Sequence, residues 1–206
     1  MKRFFIAIIA IASTCLFTFC EKKTSEKQEK KETHEKAIPS SPEAIVAEYQ
    51  QICDSVDFYW AEMMRSDDQK IADIKRLLQE VSYCKRYNQI ALDSISKMAE
   101  NLISKRYVQE NMADESIDAY DAATDSLIRA TFDLTQNTPE LSKHSIVPEL
   151  IEDITEADMT LWKYRKDYDD YALIYNQFIE ENKETLKTID SINGSLNKKP
   201  LFQIQQ

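Results

Sequence analysis

The chain has 206 residues, one glycine, five prolines and a formal net charge of −10. So little glycine excludes sandwiches, barrels and doubly wound α/β folds, whose turns and phosphate loops use it repeatedly. Hydrophobic residues make up 43% and charged residues 30%, enough for a core and too apolar for wholesale disorder.

The chain opens with Met1-Lys2-Arg3 and an apolar run from Phe4 to Cys20. A basic n-region followed by a greasy stretch reads as an export signal. Two cysteines are candidates for lipid attachment. Cys15 follows Ala12-Ser13-Thr14, with a small residue in last place, but leaves Leu16-Phe17-Thr18-Phe19 behind the lipid. Cys20 follows the poorer Phe17-Thr18-Phe19, yet sits where apolar sequence gives way to Glu21-Lys22-Lys23. Position favours Cys20 over Cys15. An uncleaved anchor is the alternative, since 17 residues reach the short limit for a span. Under each reading Lys2 and Arg3 stay cytoplasmic and the body lies outside. The expected location is the extracytoplasmic side of a bacterial envelope, on a palmitate-type lipid anchor.

Residues 21–40 read as a flexible mixed-charge tether. Glu21 to Lys36 holds six lysines and five glutamates and no aliphatic or aromatic residue, so it has nothing to bury. Residues 37–206 carry 18 lysines and arginines against 31 acids, a balance of −13. A body that acidic repels nucleic acid and anionic headgroups, so no nucleic-acid partner is expected.

Residues 41–206 form the helical body. Ser41-Pro42-Glu43 has the cap, first-turn proline and acidic residue of a helix start. Ile45, Tyr49, Ile52, Val56, Tyr59 and Met63 then share one face. Ser66-Asp67-Asp68-Gln69 has the form of a capping box and predicts a break or kink near Ser66. A second helix carries Ile71, Ile74, Leu78 and Val81, then Leu92, Ile95, Ala99 and Leu102. Lys85 and Asn88 interrupt that stripe and allow a kink between Tyr83 and Asn88. A turn is expected around Asn111 to Asp114, followed by a third helix on Ile117, Tyr120, Thr124, Leu127, Thr131 and Leu134. Gln136-Asn137-Thr138-Pro139 is the clearest loop, with Thr138 and Ser145 as caps and Pro148 in a first turn.

In the fourth helix Val147, Leu150, Ile154, Ala157, Leu161, Tyr164, Tyr168, Tyr171, Tyr175 and Phe178 alternate at spacings of three and four. That 3.5-residue period is a coiled-coil-like bundle seam. Asn193-Gly194 is its expected end, and the tail is expected to fold back through Leu201 and Phe202. The fold class is all-α, an antiparallel bundle of three to four long helices.

Site chemistry is sparse. Neither His34 nor His144 has a glutamate three residues earlier, as di-iron bundles require, and His-Glu-x-x-His is missing. His144 is expected on the surface. Glu149, Glu152, Asp153 and Glu156 share a helix side, where carboxylates suit the dipole. Cys53 and Cys84 would stand about 7 Å out of step if a turn fell at Ser66, so two buried free thiols are expected. The tyrosine ladder from Tyr164 to Tyr175 reads as core with hydroxyls at its edges. No catalytic residue, cofactor or metal is assigned, and no enzyme activity is expected.

Several stretches bear a family likeness: Val56-Asp57-Phe58-Tyr59-Trp60-Ala61-Glu62, Thr138-Pro139-Glu140-Leu141, Leu150-Ile151-Glu152-Asp153-Ile154 and Lys199-Pro200-Leu201-Phe202. The most specific is Arg165, Tyr168-Asp169, Ala172, Tyr175-Asn176 and Ile179. In order and spacing it is similar to the Arg-x-x-Tyr-Asn-x-x-Val-x-x-Tyr-Asn-x-x-Ile of the LemA family. From about Tyr49 to Phe202 the chain resembles that family of membrane-anchored helical proteins. Its motif positions here are Trp60, Arg165, Tyr168, Tyr175 and Asn176. Asp169 stands for an asparagine and Ala172 for a valine. Asp67-Asp68-Gln69-Lys70 stands for a basic run, and a proline expected near Lys75 is missing. The resemblance implies a helical bundle beside a membrane and carries over no catalytic residue. The expected role is an envelope scaffold or interaction lipoprotein with a protein partner. The alternative is a module binding a small ligand or cation.

Overall fold

The computed structural model describes residues 41–188 and 196–202. The signal segment with Cys15 and Cys20, the tether with His34, and Asn193-Gly194 lie outside them. The described residues form helices and turns with no strand; a single antiparallel bridge pairs Val108 with Asn111. The helices are α1 Pro42–Ser82, α2 Gln89–Leu102, α3 Asp114–Gln136, α4 Val147–Glu181 and the short α5 Lys183–Lys187. Single-turn 3₁₀ segments, Ile103–Lys105 and Pro139–Lys143, follow α2 and α3.

Contacts along the chain fix the directions. Tyr49 meets Tyr175, Trp60 meets Tyr168, and Lys70 meets Asp158, so α4 runs antiparallel to α1. Asp67 meets Tyr120, and the Lys85 amide donates to Glu140 beyond the end of α3, so α3 runs parallel to α1. The bundle is therefore up-down-up-down. The α2–α3 hairpin covers the C-terminal half of α1. α5 and residues 196–202 pack with its N-terminal half.

Ser41 caps α1 as expected: its Oγ accepts the Ala44 amide at 3.2 Å, with Pro42 in the first turn. There is no break at Ser66. The helix continues through 41 residues, about 60 Å at 1.5 Å per residue. Asp67 and Lys70 occupy seam positions, in step with Met63 before them and Ile74 after. Their side chains make tertiary ion pairs, so neither serves as a cap. The Tyr83–Asn88 interruption is a full break. α1 stops at Ser82, and the Asn88 carboxamide accepts the Ala91 amide at 3.1 Å to start α2.

Seam threonines survive burial in α3 because they bond backward. Thr124, Thr131 and Thr135 each donate to the carbonyl four residues earlier, at 2.8–2.9 Å. Thr138 does the same toward Leu134 and caps nothing. Ser145 is not a cap either: the cap position before Val147 is Ile146, which makes no side-chain bond, and Pro148 lies in the first turn of α4. α4 ends at Glu181 with Asn182 as its C-cap, whose Nδ2 donates to the Phe178 carbonyl, well before Asn193-Gly194 in the sequence.

The α4 seam is buried toward both ends, except at half-buried Tyr171, and half-buried in the middle. Val147, Leu150, Ile154, Tyr168, Tyr175 and Phe178 are core, whereas Ala157, Leu161 and Tyr164 are partly exposed. The middle faces the charged stretch of α1. A groove of about 440 Å³ between α3 and α4 borders Leu161. No helix among the described residues is long and apolar enough to cross a membrane.

Candidate functional site

The spacing of Arg165, Tyr168, Asp169, Tyr175 and Asn176 puts them on adjoining turns of one α4 face. That face receives residues 196–202, which run back along α4 without secondary structure. Asn176 takes both backbone groups of Lys199: Oδ1 accepts its N–H at 2.7 Å, and Nδ2 donates to its carbonyl at 2.8 Å. About two helical turns earlier in α4, Tyr168 and Asp169 hold the next residues of the segment. The Tyr168 hydroxyl donates to the Pro200 carbonyl at 3.1 Å, and Asp169 Oδ1 accepts the Phe202 amide at 2.8 Å.

Side chains complete the cleft. The Phe202 ring lies 6.4 Å from Trp60, 5.6 Å from Tyr107 and 5.7 Å from Tyr168, centroid to centroid. The Arg165 guanidinium covers it at 4.9 Å. Such offset and edge-on contacts with a cation over the ring are each favourable by about 0.5–1.5 kcal/mol. Lys199 Nζ reaches Gln109 Oε1 at 3.3 Å and lies 5.8 Å from the Tyr175 ring centre. All five motif positions therefore meet the C-terminal segment, and Leu201 and Phe202 pack on the core as the tail was expected to do. Tyr107, Gln109 and Asp121 belong to the same assembly and carry no sequence signal; two of them lie in the irregular stretch between α2 and α3.

Arg165 is held from the other side by Asp121, at 2.7 and 2.8 Å, and by the Tyr107 hydroxyl at 3.1 Å. Burial opposes the arginine's charge, but the bonds to Asp121 outweigh it and its pKa is raised. Burial likewise raises the Tyr107 and Tyr168 phenols, so both hydroxyls stay protonated and available as donors.

A second polar cluster lies at the middle of α1. Asp67 is buried against Arg106, at 2.6 Å, the Tyr120 hydroxyl, and Lys70, at 3.4 Å. Lys70, 1% exposed, also lies 3.3 Å from Asp158. Four elements meet there, and every charge has an opposite partner. It ties the bundle together.

The remaining candidates are dispersed. Glu149, Glu152, Asp153 and Glu156 are exposed on α4. Among the described residues no three His, Cys, Asp or Glu side chains gather to hold a metal ion. His144 is not a free surface residue: its Nδ1 lies 2.8 Å from Glu80 and is half-buried. Cys53 and Cys84 are free thiols, Cys84 buried and Cys53 half-buried. What separates them is an unbroken helix, not a mismatch across a turn. Of the ladder, Tyr168 and Tyr175 are buried; Tyr164 and Tyr171 are half-buried, and Tyr171 stacks on Tyr59 at 4.5 Å.

Comparisons with family models, curated proteins and solved structures return no match for this chain.

Proposed function

We propose that the chain is a lipid-anchored interaction protein of the bacterial envelope, a divergent LemA-like bundle that docks a protein partner on the outer face of α4. The anchor is Cys20, with Cys15 as the alternative, and the charged tether carries the bundle outside the membrane. The observation that carries the docking role is on α4. Met159, Trp162 and Leu173 are 68%, 60% and 51% exposed and share the side of the helix opposite Tyr168 and Tyr175. Large apolar side chains aligned on one solvent face are a feature of interaction sites, and tryptophan is the residue most enriched among binding hot spots. Trp162 also borders the α3–α4 groove, whose Asp121, Asp125 and Asp158 give it an acidic wall. The LemA-like reading is supported by the convergence of Trp60, Arg165, Tyr168, Tyr175 and Asn176 on one segment. Asp121, Asp169 and Asn176 at the site are committed to internal bonds, which favours a binding role over an enzymatic one, while Gln109 Nε2 and Arg165 Nε are buried without a partner.

A photo-crosslinking residue in place of Trp162, in intact cells, should give one dominant protein adduct. An equivalent probe at exposed Glu152 should not. Equal labelling at both sites, with helicity intact, would overturn the docking face. Palmitate labelling of Cys20→Ala and Cys15→Ala should lose signal only in the first. Retained label in both single variants would reject a single lipid site.

A further inference from the structure

Residues 199–202 are held as a bound peptide is held. Between the Lys199 amide and the Phe202 amide, four backbone groups bond to side chains of α4. A carboxamide that takes both N–H and C=O of one residue substitutes for a neighbouring strand, the device by which extended peptides are gripped irrespective of side chain. Pro200 has no amide proton to satisfy, and its fixed φ lowers the entropy lost on binding. Selectivity comes from two side-chain positions three residues apart. Lys199 extends over Tyr175 to Gln109, with Asp57 Oδ1 at 3.9 Å, and Phe202 fills the aromatic box under Arg165.

We propose that this α1–α4 cleft is a peptide-binding site for an extended basic–Pro–aliphatic–aromatic segment, occupied in cis by Lys199–Phe202 and open to the same kind of segment from a partner protein. The proposal is independent of the α4 outer face. A second copy of the chain is the weaker competitor, on simple grounds. Only residues 189–195 of the sequence separate the described end of the bundle from the segment, so the resident tail competes as an intramolecular ligand. An identical tail from another copy makes the same contacts without that advantage. A partner segment gains where it adds contacts. A groove of about 370 Å³ offers them, since it shares Trp60 and Tyr107 with the aromatic box and continues along Met64, Ile103 and Val108.

The test uses the full chain and a fluorescein-labelled, end-blocked peptide of sequence Lys-Lys-Pro-Leu-Phe-Gln. Phe202→Ala and Pro200→Gly weaken the resident tail and leave the cleft untouched. Each should bind the peptide at least about tenfold tighter than the parent chain. Adding Asn176→Ala to either should remove the gain, and a peptide with alanine for phenylalanine should not bind. A tail role confined to packing predicts no gain in either variant. That result, with helicity retained, would overturn the proposal, as would equal binding of the alanine peptide. A concentration-dependent dimer of the parent chain, abolished by Phe202→Ala, would assign the cleft to a second copy and overturn the partner as occupant.

Discussion

Arg165 closes two bonds on Asp121, at 2.7 and 2.8 Å, from one side of the α3–α4 groove to the other. The same guanidinium lies over Phe202 at 4.9 Å from the ring centre, so one side chain couples α3 to the C-terminal segment. A lysine has the charge but neither the planar fork nor the stacking face. Arg165→Lys is expected to lower stability by about 1–3 kcal/mol in urea unfolding. Asp121→Asn should cost a similar amount, and the double variant much less than the sum, because both changes remove one interaction. Additive losses would show that the two residues act separately.

Ser41 and Ser66 both precede cap-like sequence, and only the first is a cap. Ser41→Ala should cost about 1 kcal/mol, the usual value for a lost N-cap bond. Ser66→Ala, in the interior of a continuous helix, should stay within about 0.5 kcal/mol. Chemical denaturation of the two variants distinguishes them, and equal losses would restore a break at Ser66.

Asp67 is the carboxylate shared by the Arg106 and Lys70 ion pairs and by the Tyr120 hydroxyl, which donates to it. Its neutralisation removes the cluster's one buried carboxylate and leaves Lys70 with only Asp158 and Arg106 with only the exposed Asp68. Asp67→Asn is expected to destabilise by about 3–5 kcal/mol, the cost of removing one member of a buried ion pair. Thermal and urea unfolding should agree on a large loss. A shift under about 1 kcal/mol would mean that water reaches the cluster.

Burial raises the pKa of Cys53, Cys84, Tyr49, Tyr107, Tyr120, Tyr168 and Tyr175 from ordinary values of 9.0 and 10.0. All are neutral when protonated, so above those values the native state holds more protons than the unfolded one. Their contribution to stability is complete below the unfolded values and is lost as pH rises toward the folded ones. Tm should be level between about pH 7 and 8 and fall steeply above about pH 9–10. A Tm that holds to about pH 11 would show these groups ionising without unfolding.

The parts of the fold that were legible rest on residues whose chemistry has one meaning. Ser41-Pro42-Glu43 can only start a helix, and the heptad run from Val147 to Phe178 can only be a seam. Ambiguity entered where two structures use the same residue types. A capping box and a buried ion pair both use small polar and charged residues at i, i+3 spacing, so Ser66-Asp67-Asp68-Gln69 suggested a break or kink near Ser66. Asn88 was visible as an interruption but not as a cap, because the Ala91 amide it accepts has no signature. The site was half legible. The α4 motif residues were marked by the family resemblance, and their spacing adds that they share one helix face. Tyr107 and Asp121 meet Arg165 from 58 and 44 residues away, a proximity set by the hairpin rather than by local pattern.

The unbroken α1 has a consequence for how the molecule opens. A break at Ser66 would have left two small cores, each free to fray separately. One helix instead runs through both, with the Asp67–Lys70 pair at the join. The amides on either side of Ser66 should therefore exchange their hydrogens in a single shared event, and the bundle should behave as one cooperative unit along its length.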